Sequence, residues 1–192
     1  MKKPWLLFGV LRVYQHYLRS RFDKAWGMVA LSQVRQKGID CRIHGRTTLY
    51  YPNNLRMGDY VRIGGGCFFF CKGGLDIGSN TQISRNVCIY TANHNISGAM
   101  IPYDDSYVER PVLIGRSVWI GMNARIPPGV TIGDGAVVGM GTVVSCNVPE
   151  GAIIVGSPSR VVGCRDMNEF QNKEAKELFF GKIHRPGKIR SK

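Results

Sequence analysis

From Pro111 to Val162 the chain keeps a beat of six. Ile114, Ile120, Ile126, Ile132, Val138 and Val144 stand six residues apart. Four places after each comes a small or β-branched partner: Val118, Ala124, Val130, Ala136, Thr142, Val148. An α-helix repeats at about 3.6 residues and a half-buried strand at two, so neither carries this beat. Short strands joined by sharp corners do, one hexad to each face of a β-solenoid.

The beat extends upstream. Hexads beginning at Ile39, Gly45, Tyr51, Met57, Ile63 and Phe69 are followed by a two-residue slip at Leu75-Asp76, then by hexads at Ile77, Ile83 and Ile89. The fourth residue of each hexad falls where the chain turns. Nine of the fifteen have Asn or Gly there: Asn54, Gly66, Asn80, Asn86, Asn123, Gly129, Gly135, Gly141 and Asn147. Gly and Asn make up 34 of the 192 residues, so chance would put about three on that phase; corners that need positive φ account for the excess. The inward phases of the first block hold Ile39, Ile43, Leu49, Leu55, Met57, Val61, Ile63, Ile77, Ile83, Val87 and Ile89. Each large aliphatic buried there contributes roughly 1.5–3 kcal/mol. Tyr50, Phe68, Trp119, Val137 and Val143 fall on the outward last phase, an apolar stripe that predicts self-association.

The organisation follows from where the beat starts and stops: a helical N-terminal cap over residues 1–38, a solenoid over 39–162 with an extruded loop at 93–111, and a C-terminal helix with a basic tail over 163–192. At the N-terminus Trp5, Phe8, Leu11, Tyr14, Leu18, Phe22, Ala25 and Val29 recur at helical intervals. Such an element would cover the open end of the solenoid. The interleaved Arg12, Arg19, Arg21 and Lys24 also suit a helix lying on an anionic membrane, and one element can serve both ends. At the other end Asp166 and Glu169 form a capping box, Phe170 and Leu178 share a face, and Gly181 marks a helix stop.

Charge sits at the same two ends. The formal net charge of +13 divides into +8 over residues 1–46, zero over 47–159 and +5 over 160–192. Basic flanks on a neutral body suit an anionic partner or plain solvation. Nucleic-acid binding would rest on charge alone, without a motif, and is not expected. The six cysteines form no CxxC pair. The apolar run Trp5–Leu11 is followed by Arg12 rather than a cleavage site and is too short to span a bilayer. The expectation is a cytoplasmic protein, with work at the inner face of the membrane open to it.

Loops thrown from a rigid scaffold concentrate function. Of the four histidines, His16 belongs to the N-terminal region, His184 to the tail and His44 to an outward phase of an early hexad. His94 alone stands at the mouth of the extruded loop, where an imidazole suits a general base.

The string VWIGMNARIPPGVTIGDGAVVGMGTVV, then Pro149 and GSPSRVV, resembles the hexapeptide-repeat acyltransferase family, nearest to the galactoside, maltose and cell-envelope sugar O-acetyltransferases, which share a Trp-Ile-Gly step after the loop. The likeness covers about residues 55–163 and is most specific at 111–162. It implies a left-handed triangular β-helix, a homotrimer and active sites between subunits. It also implies that His94 takes the proton from the acceptor hydroxyl as that oxygen attacks the thioester of acetyl-CoA, with a backbone N–H at Gly121-Met122, beside Trp119, facing the oxyanion. Gly139, Met140, Ser145 and Cys146 would flank the pantetheine arm, although relatives often have Thr-Lys where this chain has Ser145-Cys146. Arg160, helped by Arg165, would meet CoA phosphates. On the acceptor side Asp104, Asp105 and Glu109 could bind sugar hydroxyls or simply solvate the loop, and Phe69 is a further candidate. Galactoside-type enzymes carry an Asn before the loop where this chain has Gly64-Gly65-Gly66 and Phe68-Phe69-Phe70, which points away from a free galactoside or maltose.

The function expected is therefore O-acetylation of a sugar on an envelope polysaccharide or glycolipid precursor; the alternative is N-acetylation of a nucleotide-linked amino sugar. A zinc carbonic anhydrase on the same solenoid needs three histidines at a subunit interface, and the repeat region supplies only His44 and His94, so no metal is expected.

Overall fold

The structure, a computed structural model, describes residues 4–14, 18–97, 101–157, 160–164 and 166–178. His16, Arg165, Gly181, His184 and the basic tail lie outside the described residues. The chain winds into a left-handed parallel β-helix of about six turns. Each turn lays one short strand on each of three faces. Face A stacks Gln36–Lys37, Leu55–Met57, Leu75–Ile77, Val112–Ile114 and Thr131–Ile132. Face B stacks Arg42–Ile43, Arg62–Ile63, Gln82–Ile83, Trp119–Ile120, Val137–Val138 and Ala152–Val155, with Arg160–Cys164 returning antiparallel at its end. Face C stacks Thr48–Tyr50, Phe68–Phe70, Cys88–Tyr90 and Arg125–Ile126.

The first aliphatic of each hexad and the partner four places on point inward. Ile63, Phe69, Ile89, Ile120, Val138 and Val144 are fully buried, as are Val61, Val87, Val118, Ala124 and Ala136. Two independent phases of the sequence thus meet in one core. Of the nine corner residues expected at positive φ, seven adopt it: Gly66, Asn80, Asn86, Asn123, Gly129, Gly135 and Gly141. Asn54 instead ends a 3-10 turn, and Asn147 accepts a hydrogen bond from the Thr131 N–H at 2.9 Å. Tyr60 and Ser117 take left-handed corners without the usual residue.

The early register needs a correction. Arg42, Arg62 and Gln82 are successive rungs of face B, so the first turns hold twenty residues, whereas Trp119 to Val137 takes eighteen. Two extra residues enter at the corner between faces C and A, once at the 3-10 turn Pro52–Asn54 and again at the turn where Gly74 N–H bonds Cys71 O. The six-residue reading places only the second slip. Ile39, read as inward, is therefore exposed, and Cys41 and Ile43 fill the core of that turn.

Helix α1 (Pro4–Val13) and helix α2 (Arg19–Gln33) precede the coil. α2 covers its first turn: Ala30 and Val34 are buried in the core cluster, and Gly27 lies so close to Ile43 O that a Cβ would collide. In α1 the exposed set includes Phe8, Val10, Leu11 and Val13. Helix α3 (Met167–Ala175) is capped by Asp166, whose carboxylate accepts from Asn168 N at 2.9 Å and Glu169 N at 3.1 Å. It buries Phe170 over Gly135, where an added Cβ would meet the ring at 2.8 Å; Leu178, expected on that face, is exposed. No helix among the described residues is long and apolar enough to cross a membrane.

Candidate active site

The loop between faces C and A is more ordered than a run without the six-residue beat suggests. Its base is a hairpin in which Ala92–His94 pairs antiparallel with Tyr107–Glu109, His94 opposite Tyr107. The hairpin fixes the imidazole. Tyr103 stacks on it with ring centroids 3.9 Å apart at 17°, and Tyr107 lies 4.5 Å away at 34°. His94 Nδ1 is buried and has no partner among the described residues, which leaves Nε2 as the nitrogen available to a reactant. An unpaired buried ring nitrogen is costly, so a base held this way calls for a further acceptor when the site is complete.

From His94 a ribbon of rings runs back over face C. Tyr107 touches Phe70 at 5.9 Å, Phe70 and Phe68 each stack on Tyr90 at 5.5 Å, and Phe68 meets Tyr50 at 5.5 Å. Lys72 bridges Tyr51 and Tyr107 and pairs with Glu109 at 3.1 Å. These are the outward side chains of successive rungs, and parallel strands bring them into column.

The remaining candidates lie on another edge of the prism. On the edge between faces B and C, backbone donors climb rung by rung: His44 N–H to Ile63 O at 2.7 Å, Gly64 to Ile83 at 2.8 Å, Ser84 to Ile120 at 2.8 Å, Gly121 to Val138 at 2.7 Å and Gly139 to Ile154 at 2.8 Å. Gly121 N–H is thus spent on the ladder. Met122 N–H follows it at the open corner, where Met122 O accepts from Gly141 at 2.8 Å. Of the Gly121-Met122 pair, Gly121 is the one whose N–H takes part in the ladder. Trp119 stands out from the rung, half exposed, with its indole N–H donating to Ser84 Oγ at 3.3 Å. Gly121 leaves no room for a side chain: a Cβ there would come within 2.6 Å of Met140 N. Below it Met140 protrudes, Ser145 and Cys146 are exposed, and Arg160 is exposed where its strand begins.

The chain resembles known proteins in sequence and fold. The family described as bacterial transferase hexapeptide (six repeats) matches residues 111–146. A galactoside acetyltransferase in complex with coenzyme A superposes with a TM-score of 0.66 over 74% of this chain and 71% of its own, at 25% identity. A maltose O-acetyltransferase from Clostridium difficile 630 does so with a TM-score of 0.62 over 80% and 91%, at 26% identity. Nodulation protein L of Rhizobium leguminosarum bv. viciae is 38% identical over 142 residues, 71% of each chain. The chain belongs to the hexapeptide-repeat acyltransferase family.

In this acyltransferase Gly121, Met122, Gly139 and Met140, expected on the donor side, lie along one edge, and Trp119 lies in the face-B strand just before it. The acceptor-side candidates fare differently. Phe69 is fully buried in the core and cannot touch a substrate; the outward rings of that rung are Phe68 and Phe70. The inward phase that makes Phe69 a hexad start also takes it out of reach. Asp104 folds its own loop, accepting from the N–H and hydroxyl of Ser106, while Asp105 is exposed. Arg165 lies outside the described residues.

Sequence reasoning missed two groups. Tyr103 and Tyr107 frame His94, and no spacing rule reaches across a hairpin of unknown pairing. Arg42, Arg62, Gln82 and Ser84 form a groove of about 420 Å³ above Trp119 together with His44 and Gly64. A twenty-residue period would have aligned Arg42, Arg62 and Gln82, but the unplaced slip hid it.

Proposed function

We propose that this acyltransferase moves an acetyl group from acetyl-CoA to a sugar hydroxyl of a cell-envelope polysaccharide or glycolipid precursor, and that it works as a homotrimer with each site on a seam between subunits. The observation that carries this reading is the separation of the two halves of the chemistry. The hairpin bearing His94 leaves the edge between faces C and A, whereas Met122 N–H and Trp119 belong to face B and its edge with C. Within one chain they belong to different edges of the prism. A neighbouring copy can bring them together, and three copies around an axis close the arrangement.

In the proposed reaction His94 Nε2 accepts the proton of the sugar hydroxyl as its oxygen attacks the thioester carbonyl. Met122 N–H donates to the oxyanion that develops. As the C–S bond breaks, the imidazolium returns the proton to the leaving sulfur. Arg160 at the end of the coil suits the phosphates of CoA. The galactoside acetyltransferase, whose structure contains coenzyme A, supports this choice of donor. Steady-state turnover of acetyl-CoA with a panel of sugar acceptors tests the reading. Turnover that persists in His94→Ala, or a wild type that releases CoA with no sugar, argues against it.

The same reading gives α1 a place against an anionic membrane. Phe8, Val10, Leu11 and Val13 are exposed, and residues 1–46 carry ten Lys/Arg against two acidic residues. Flotation of the trimer with vesicles containing acidic lipid, compared with neutral vesicles, checks it; equal flotation removes the membrane from the picture.

A further inference from the structure

We infer that the groove above Trp119 holds an anionic group of the acceptor, so that the sugar acetylated here carries a phosphate or a carboxylate. The inference rests on the reading of the Trp119–Met122 corner as the reaction centre.

The groove continues the donor edge past that corner. Ser84, Gly64 and His44 are the next three rungs above Gly121 on one hydrogen-bond ladder. Rungs lie roughly 4.8 Å apart, so the groove begins about 5 Å from the reacting atoms and reaches about 14 Å beyond them. That span fits a sugar ring followed by its charged substituent. Donor and acceptor would then meet end to end along one edge, with Trp119 between them offering a ring face to the sugar.

The lining is cationic. Arg42, His44, Arg62, Gly64, Gln82, Ile83, Ser84 and Trp119 surround the space, with no acidic side chain among them. Asp40 holds both guanidiniums: Oδ1 accepts from Arg42 Nε at 3.2 Å and Nη2 at 3.0 Å, Oδ2 accepts from Arg62 Nη2 at 3.0 Å, and Arg62 Nη1 donates to the carbonyls of Asp40 and Val61. Burial pushes the Asp40 carboxyl up, but its bonds to Arg42 and Arg62 outweigh that and hold it below its ordinary value. Asp40 therefore stays ionised and pins both forks. Arg62 is buried on the outward phase, where the same column lower down holds Trp119 and Val137. The solenoid does not require a buried guanidinium at that phase. A guanidinium already held in place loses little freedom when an oxyanion of phosphate or carboxylate meets its positive charge. Ser84 accepts from Trp119, which leaves its hydroxyl hydrogen for the ligand.

Calorimetric titration of the full chain with glucose 1-phosphate, glucuronate and glucose tests the site without any need for turnover. The expected result is that at least one anionic probe binds tenfold or more tightly than glucose; whichever does so identifies the anion as phosphate or carboxylate. Arg42→Gln should erase that preference and leave the affinity for acetyl-CoA unchanged. His44→Gln, an exposed position, should weaken the anionic probe about threefold and serves if Arg42→Gln does not fold. Equal affinity for glucose and both anions, no saturable binding of either anion, or a preference that survives both substitutions overturns the inference. Loss of acetyl transfer alone, with the anion preference intact, counts against the proposed reaction and not against this site.

Discussion

Faces B and C are the same on the inside and unlike on the outside. Ile43, Ile63, Ile83 and Ile120 line the core from B, and Phe69, Ile89 and Ile126 line it from C. Outward, B shows Arg42, Arg62, Gln82 and Trp119, and C shows Tyr50, Phe68, Phe70 and Tyr90. The inward phase answers to one demand, a dry packed column, so it repeats. The outward phase is free of that demand and differs wherever the surface has a task. A charged groove and an aromatic ribbon on adjoining faces form a complementary pair: the ribbon ends at an imidazole, and the edge beside the groove presents a backbone donor.

The largest effect separates the two faces by chemistry. His94→Ala should lower kcat at least 100-fold, within the usual range for a general base, while acetyl-CoA affinity measured by titration stays the same. If kcat survives, face C contributes only structure. If affinity falls with kcat, the imidazole belongs to donor binding.

A second substitution acts on the ribbon itself. Tyr90 stacks on both Phe68 and Phe70. If face C lies on the proposed seam, Tyr90→Lys replaces a ring that a neighbour would cover with an unpaired charge, a loss of about 2 kcal/mol, and should weaken assembly roughly thirtyfold. Light scattering across a dilution series reads the shift. Activity should fall in parallel, because a dissociated chain keeps His94 and Trp119 apart. A trimer unaffected by Tyr90→Lys would move the seam to another face.

How far the sequence reaches can be judged on the same two faces. Ile114 through Val144 announce the coil because burial and left-handed corners leave a periodic trace. His94 is visible because it breaks that trace. Arg62 is not: its role depends on Arg42 being one full turn away, and that turn's length rests on the two residues inserted near Pro52–Asn54, which the six-residue beat does not place. Tyr103 and His94 meet through a hairpin, and a contact between non-periodic residues leaves no spacing to read. Phe69 shows the converse error, in which an aromatic residue beside a suspected site is given a function that its phase already excludes.

On the donor side the expected effect is smaller. Arg160→Ala removes one charge-assisted contact to a CoA phosphate, which at about 1.5 kcal/mol raises KM for acetyl-CoA roughly tenfold. kcat should hold, since Arg160 is several rungs from the reaction centre. A kcat defect with unchanged KM would detach Arg160 from the donor and leave the lower part of face B without an assigned ligand.

The smallest effect leaves activity alone and reads the faces through their thiols. Burial pushes Cys67 up to about 11 and Cys71 up to about 12, so both stay protonated and inert at pH 8. Their raised values also set a sign for stability. Below the ordinary value of 9.0 folded and unfolded chains bind these protons alike; above it the unfolded chain loses them first, so stability should decline from pH 9 toward 12. Cys146 and Cys164 are exposed and should alkylate quickly at pH 8. Cys88 is the informative one. It sits outward on face C between Phe68 and Arg125, half-buried in the single chain, with its thiol raised by burial against the opposing pull of Arg125. If the ribbon lies on the seam, a neighbour covers it, and mass spectrometry after timed alkylation should find Cys88 protected in the wild type and modified several times faster in Tyr90→Lys. Equal rates in the two proteins would mean that face C is open to solvent in the assembled enzyme, and the aromatic ribbon would then need a partner other than a second copy of this chain.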